Sequence, residues 1–185
     1  MNHNIIDLKA VSRTSSHALR HEPWLYELEL DDEGWTPIEA LLSALKKDRP
    51  EWNELNADHL AEMIATSAKR RHEIDGDRIR ALYGHSLEGK LKKIPATPPE
   101  VLFHGTNPAV LPQIETTGLL PMARQYVHLS VDEETAREVG RRKCRKPTIL
   151  RIRTRDAEAA GVHFYEGNGK VWLADAVPPE FIEAN

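Results

Sequence analysis

Arginine and histidine gather at five places in a chain that is acidic overall: Leu19-Arg20-His21, Lys69-Arg70-Arg71-His72, Phe103-His104-Gly105-Thr106, Val127-His128-Leu129-Ser130 and Val139-Gly140-Arg141-Arg142-Lys143. Guanidinium groups offered in pairs or threes match phosphate oxygens through charge-assisted, often bidentate hydrogen bonds, which are stronger than neutral ones. The first expectation is an anion site and a phosphate-bearing substrate. Each cluster also has a plainer use. Leu19-Arg20-His21 and Arg141-Arg142-Lys143 can simply complement the dipoles of two helix ends. His104 precedes Gly105-Thr106 at the end of an apolar strand, where a glycine admits a ligand to the backbone, although an isolated His there serves equally as a structural hydrogen-bonder. His128 and Ser130 share one face of a strand, since alternate side chains do; they can hold a ribose or an amide, or merely end the strand. Lys69-Arg70-Arg71-His72 runs from a helix end into a strand, so Arg71 and His72 face opposite sides.

Other chemistries lack their residue sets. The nine histidines form no HExxH or HxH pattern and Cys144 is the only cysteine, so no metal site is expected. A P-loop, a GxGxxG fingerprint and a GxSxG elbow do not occur, which disfavours the usual nucleotide cradles and a Ser-His-acid hydrolase.

With 185 residues, 40% hydrophobic and 29% charged, the chain can build one domain or two small lobes. A formal charge of −4 and a pI of about 6.1 argue against a protein that coats nucleic acid non-specifically. Any such contact must be local. A lone cysteine suits a reducing compartment, and neither a membrane span nor a signal peptide is legible; a cytoplasmic monomer is the expectation.

These residues need elements to hold them. The proline-rich stretch Leu91 to Pro99, with Lys92 and Lys93, reads as a linker, dividing the chain into lobes 1–94 and 95–185. In the first lobe, Thr36-Pro37-Ile38-Glu39 reads as a capping box opening a helix from Pro37 to about Lys47. Asn56 caps a second helix reaching about Ala68. Asp75-Gly76 then turns a hairpin between Arg71–Ile74 and Arg78–Tyr83. With an earlier helix over Thr14 to Arg20, this order is that of a winged helix, which can bind nucleic acid or only pack on its neighbour. The second lobe has strand-like runs at Val101–Phe103, Tyr126–Leu129, Thr148–Ile152 and Val171–Leu173, with helices from Pro108 to Thr116, stopping at Gly118, and from Asp132 to Val139. The fold class expected is α+β.

In this order the clusters resemble the RNA 2′-phosphotransferase family, the KptA-type enzymes. The resemblance spans nearly the whole chain: Ser16 to His21, Glu33-Gly34-Trp35, Ala65-Thr66-Ser67 leading into Lys69-Arg70-Arg71, Arg80-Ala81 with Gly84-His85-Ser86, His104-Gly105-Thr106, Tyr126 to Ser130, Thr135-Ala136 with Val139-Gly140, and Val171-Trp172-Leu173. It implies an N-terminal winged-helix lobe and a C-terminal ADP-ribosyltransferase-like lobe that binds NAD. By the same resemblance Arg20, His21, Arg71 and Arg142 form the catalytic set, with Arg142 preferred to Arg141. Lys69 and Arg70 contact the RNA phosphate, and His104, Gly105, Thr106, His128 and Ser130 cradle NAD. Departures are Ala68 where Asp is common, His72 where an aromatic is common, and Lys170 between Asn168-Gly169 and Val171.

The activity implied is removal of an internal 2′-phosphate from a tRNA-like RNA. The phosphate attacks the anomeric carbon of the nicotinamide ribose, nicotinamide leaves, and an ADP-ribosylated RNA phosphate forms. The ribose 2″-hydroxyl then attacks that phosphate, giving 2′-OH RNA and ADP-ribose 1″,2″-cyclic phosphate. A phosphate with a second pKa of about 6 needs no general base. Arginines can meet the charge that develops on the transferred phosphoryl group without a metal, and His21 can assist proton transfer. Lys92 and Lys93 are further RNA contacts. Two other outcomes are compatible with the residues: an ADP-ribosyltransferase that caps terminal nucleic-acid phosphates, and a non-catalytic winged-helix protein.

Overall fold

A computed structural model describes residues 6–83, 94–122, 124–167 and 169–184. The expected contacts Lys92 and Lys93, the segment Gly84-His85-Ser86, the start of the linker and Asn168 lie outside the described residues. The chain separates into two compact units, Met1–Leu87 and Glu88–Asn185, both mixing helix with antiparallel sheet.

The first unit begins with helix α1 (Leu8–Arg20), capped by Asp7, whose carboxylate accepts from the amides of Lys9 and Ala10. Its start is six residues before the expected Thr14. The Ser/Thr-rich sequence has modest helix propensity, but the cap and a buried stripe through Val11, Ser15, Ala18 and Leu19 outweigh it. The capping box expected at Thr36 does not form. Thr36–Pro37 is instead a short strand, β1, paired with Ile79 and Arg78. Pro37 takes the cap position of α2 (Ile38–Asp48) without a side-chain cap. The Ile38 amide donates to the Asp77 carbonyl at 2.8 Å, so the sheet supplies the acceptor a capping side chain would have given.

Helix α3 (Ala57–Thr66) opens with a reciprocal box: Asn56 Oδ1 accepts from the His59 amide and His59 Nδ1 from the Asn56 amide, both at 3.2 Å. The hairpin of β2 (His72–Asp75) and β3 (Arg78–Ala81) follows. Because Asp75 pairs with Arg78, the two-residue loop is Gly76-Asp77, one position later than expected. Gly76 has φ +60°, which suits the first central position of a type II′ turn. The sheet order is β1-β3-β2, and Leu19, Leu41, Leu45, Leu55, Leu60 and Ile79 are fully buried.

The second unit contains β4 (Val101–Thr106), α4 (Leu111–Thr117), β5 (Val127–Ser130), α5 (Glu133–Arg141), β6 (Thr148–Arg153), α6 (Thr154–Ala159), β7 (Phe164–Glu166), β8 (Val171–Ala174) and β9 (Ile182–Ala184). Its six strands run in the order β7-β8-β5-β4-β6-β9. Asp132 caps α5 by accepting from the Thr135 amide at 2.7 Å. Gly118, at φ +73°, ends α4 as expected. Leu102, Val127, Leu129, Leu150, Ile152 and Phe164 form the centre of an apolar core.

One strand differs from expectation in a way that bears on the site. The run Val101–Phe103 continues through Thr106, so His104 and Gly105 lie within β4 rather than beyond it. Both are buried. A Cβ placed on Gly105 would come within 2.0 Å of the Ala136 carbonyl oxygen, and Gly140 Cα lies 3.0 Å from the same point. The space beside Gly105 is therefore taken by the backbone of α5, and the glycine permits close packing of helix on strand rather than the approach of a ligand.

Candidate functional site

In the first unit the described geometry gathers Arg20, Arg71 and His72. Arg20 is the last residue of α1, and His21 follows as the exposed C-cap. Arg71 immediately precedes β2. Arg20 Nη2 donates to the Arg71 carbonyl at 3.4 Å, its guanidinium lies 4.8 Å from the centre of the Tyr83 ring, and its buried Nε has no hydrogen-bond partner among the described residues. Arg71 Nη1 donates to Ser67 Oγ at 3.2 Å. Among the described residues neither arginine is paired with a carboxylate. Their positive field has a witness in His72, buried at 2% exposure. Burial, then the charges of Arg20 and Arg71, lower its pKa to about 4, so the imidazole is neutral near pH 7.

The neighbouring basic residues are placed differently. Arg70 is exposed and turned toward Glu73, with Nη2 at 3.9 Å from the carboxylate. Lys69 is exposed, and its carbonyl accepts from Ser67 Oγ at 2.7 Å.

In the second unit, His104, Thr106, His128 and Ser130 are four buried polar side chains on adjacent strands. Strands β4 and β5 are paired at one position, Phe103 with Ser130, whereas β4 pairs with β6 along its whole length. Near that weak seam His104 Nδ1 is 2.9 Å from the His128 carbonyl oxygen. Since a carbonyl can only accept, this contact fixes the proton on Nδ1. Because Phe103 pairs with Ser130, strand alternation puts Ser130 and His128 on one face of the sheet and His104 and Thr106 on the other, so the register divides these four residues into two pairs. Arg142 is the half-buried C-cap of α5, whereas Arg141 is exposed in its last turn. Lys143 Nζ donates to the Gly105 carbonyl at 3.1 Å, tying the segment after α5 to β4. Among the described residues, no three His, Cys, Asp or Glu side chains converge as a metal site requires, and no helix is long and apolar enough to cross a membrane.

The family model for the RNA 2′-phosphotransferase, Tpt1 / KptA family matches residues 7–176. The chain belongs to that family. Relatives named probable RNA 2′-phosphotransferase include proteins of Bacillus thuringiensis, 52% identical with 95% of this chain and 94% of the relative covered, and of Acetivibrio thermocellus, 47% identical with 96% and 97% covered. A third, from Hahella chejuensis, is 42% identical with 95% and 93% covered.

Against this RNA 2′-phosphotransferase background, His72, Lys143 and Ser67 stood in segments that the sequence singled out but had no role of their own there, and Tyr83 entered only as the end of a strand. His72 carried a faint signal, because strand alternation turns it inward when Arg71 turns outward. The partners of Tyr83 and Lys143 depend on tertiary placement, whereas Ser67 contacts residues two and four positions away.

Proposed function

We propose that the chain is an NAD-dependent RNA 2′-phosphotransferase, with its first unit serving as a winged-helix RNA lobe and its second as an ADP-ribosyltransferase-like lobe. The observation that carries this reading is the pair Arg20 and Arg71, held close together without a carboxylate partner among the described residues in a chain of this family. Guanidinium groups without a carboxylate partner, both close enough for their charge to act on His72, favour a polyanionic group such as a phosphate monoester. The element order α1-β1-α2-α3-β2-β3 supports the winged-helix assignment.

By the family resemblance His104, Thr106, His128 and Ser130 serve NAD; their side chains are of the types that hydrogen-bond a ribose or an amide, with His128 and Ser130 sharing one strand face and His104 and Thr106 the other. Gly105 contributes indirectly, by letting α5 pack against β4. Bound NAD supplies an electrophilic anomeric carbon and nicotinamide as the leaving group. The residues of this chain do the rest. Arg20 and Arg71 bind and orient the 2′-phosphate, whose ionisation near pH 7 makes a general base unnecessary. By the family resemblance Arg142 is a further catalytic residue, Lys69 extends the basic edge toward RNA beside Arg70, whose charge Glu73 partly meets, and His21 holds or moves a proton at the reacting hydroxyl. Guanidinium charge aimed at the phosphoryl oxygens lowers the barrier where negative charge develops.

The test is incubation of the protein with an RNA carrying one internal 2′-phosphate, with and without NAD. Loss of the phosphate together with ADP-ribose 1″,2″-cyclic phosphate is the expected result. A stable ADP-ribosylated terminal phosphate and no 2′-phosphate removal would assign the capping reaction instead. No NAD-dependent change would overturn both assignments.

A further inference from the structure

Ser16 lies one helical turn before Arg20, and His72 directly follows Arg71. Ser16 Oγ and His72 Nε2 are 3.1 Å apart. That hydrogen bond joins α1 to the first residue of β2, while the contact from Arg20 to the Arg71 carbonyl joins the same helix to the residue just before that strand. Two ties across 51 and 56 residues of sequence hold the end of α1 against the backbone from which the Arg71 side chain springs.

We propose that Ser16 and His72 form a positioning pair, locking α1 to β2 so that Arg20 and Arg71 engage one phosphate group together. The proposal rests on the reading of those arginines as phosphate contacts. His72 suits the task because it is buried at 2% exposure, where water cannot readily replace Ser16, and because its neutral ring adds no repulsion to two nearby cations. The charged groups acting on it are Arg20 and Arg71, and together with burial they lower its pKa to about 4. An anion bound by both arginines would offset their field, so His72 should protonate more readily when a phosphate is present.

Two measurements test this. The first is steady-state kinetics of Ser16→Ala, His72→Phe and His72→Gln with 2′-phosphorylated RNA at saturating NAD, alongside their melting temperatures. Ser16→Ala and His72→Phe should raise KM for the RNA about tenfold with little change in kcat, and His72→Gln, which keeps a hydrogen-bonding group, should recover most of the loss. The second is an NMR titration of the His72 ring in the wild-type protein, with and without a 2′-phosphorylated oligonucleotide and with no NAD present. Its pKa should rise by about one unit on binding. Equal losses in His72→Phe and His72→Gln, a fall in kcat alone, or a titration unmoved by the bound oligonucleotide would each overturn the proposal. Because the titration involves no turnover, it reports on the pair even if the NAD-dependent reaction is absent.

Discussion

Arg71, just before β2, and Arg80, within β3, belong to the same small unit and the same hairpin, yet their surroundings are opposite. Arg80 donates through Nε and Nη2 to Glu73 at 3.0 and 2.9 Å, lies 3.9 Å from Glu33, and stacks 4.4 Å from the centre of the Trp35 ring. Arg78 repeats the pattern, with Asp31 and Asp75 as partners and the same ring at 5.0 Å. Arg71 and Arg20 have a hydroxyl, a backbone carbonyl and the Tyr83 ring as partners, with no carboxylate among the described residues. Residue type does not separate a structural arginine from a binding one; the local charge balance does. A guanidinium whose charge is already met has little left for a substrate.

The widest gap should appear on truncation. Arg71→Ala should lower kcat/KM for 2′-phosphorylated RNA by about 100- to 1,000-fold, the equivalent of one or two charge-assisted hydrogen bonds, while the melting temperature stays within a few degrees. Wild-type rates would place Arg71 with Arg80 and end the distinction.

The same unbalanced charge should be visible in stability. His72 has a folded-state pKa lowered from 6.5 to about 4, so between those values the unfolded chain binds the extra proton and stability falls as pH falls. Unfolding free energy should drop by about 1 kcal/mol per pH unit across that window from this group. Denaturant melts from pH 7 to pH 4 measure it. His72→Phe should remove this contribution, and Arg71→Ala should move its lower limit up, since one of the lowering charges is gone.

Supplying the missing carboxylate is a smaller change that tests the cause directly. Ser67 Oγ is the partner of Arg71 Nη1 at 3.2 Å, so Ser67→Asp would give Arg71 the kind of surroundings Arg80 has. Its kcat/KM for RNA should fall about tenfold. Stability should change little, because a new ion pair is offset by a negative charge at a helix C-terminus. Undiminished activity would mean that charge balance at Arg71 is irrelevant.

Much of this arrangement could be anticipated from local sequence, and the failures share a cause. Asn56, Asp132 and Gly118 marked helix ends because capping is a contact between near neighbours in sequence. Thr36 misled because a strand 43 residues away pairs with it. The short edge strands β7 and β9 carry too few residues for a period to show. At the candidate site the Arg and His clusters were visible as residue types, but Arg70 and Arg71 are indistinguishable until Glu73 is found beside one and Ser67 beside the other. Gly105 suggested an open approach to the backbone, and only the position of Ala136 shows that α5 fills it.

The smallest effects should come from the balanced arginines. Arg80 is about a quarter to a third exposed, with a two-nitrogen contact to Glu73 and an aromatic face beneath it. Arg80→Ala should cost on the order of 1 kcal/mol of stability, because it removes both contacts and leaves Glu73 half-buried without its main partner. Arg78 is more exposed and its ion pairs are longer, at 3.7 and 3.5 Å, so Arg78→Ala should cost about 0.5 kcal/mol or less. Both variants should retain kcat/KM for 2′-phosphorylated RNA within about threefold, a change under 1 kcal/mol in transition-state stabilisation. A loss comparable to that of Arg71→Ala, with the fold intact, would mean that a neutralised guanidinium can still exchange its carboxylate for the RNA phosphate, and charge balance would then no longer mark the site.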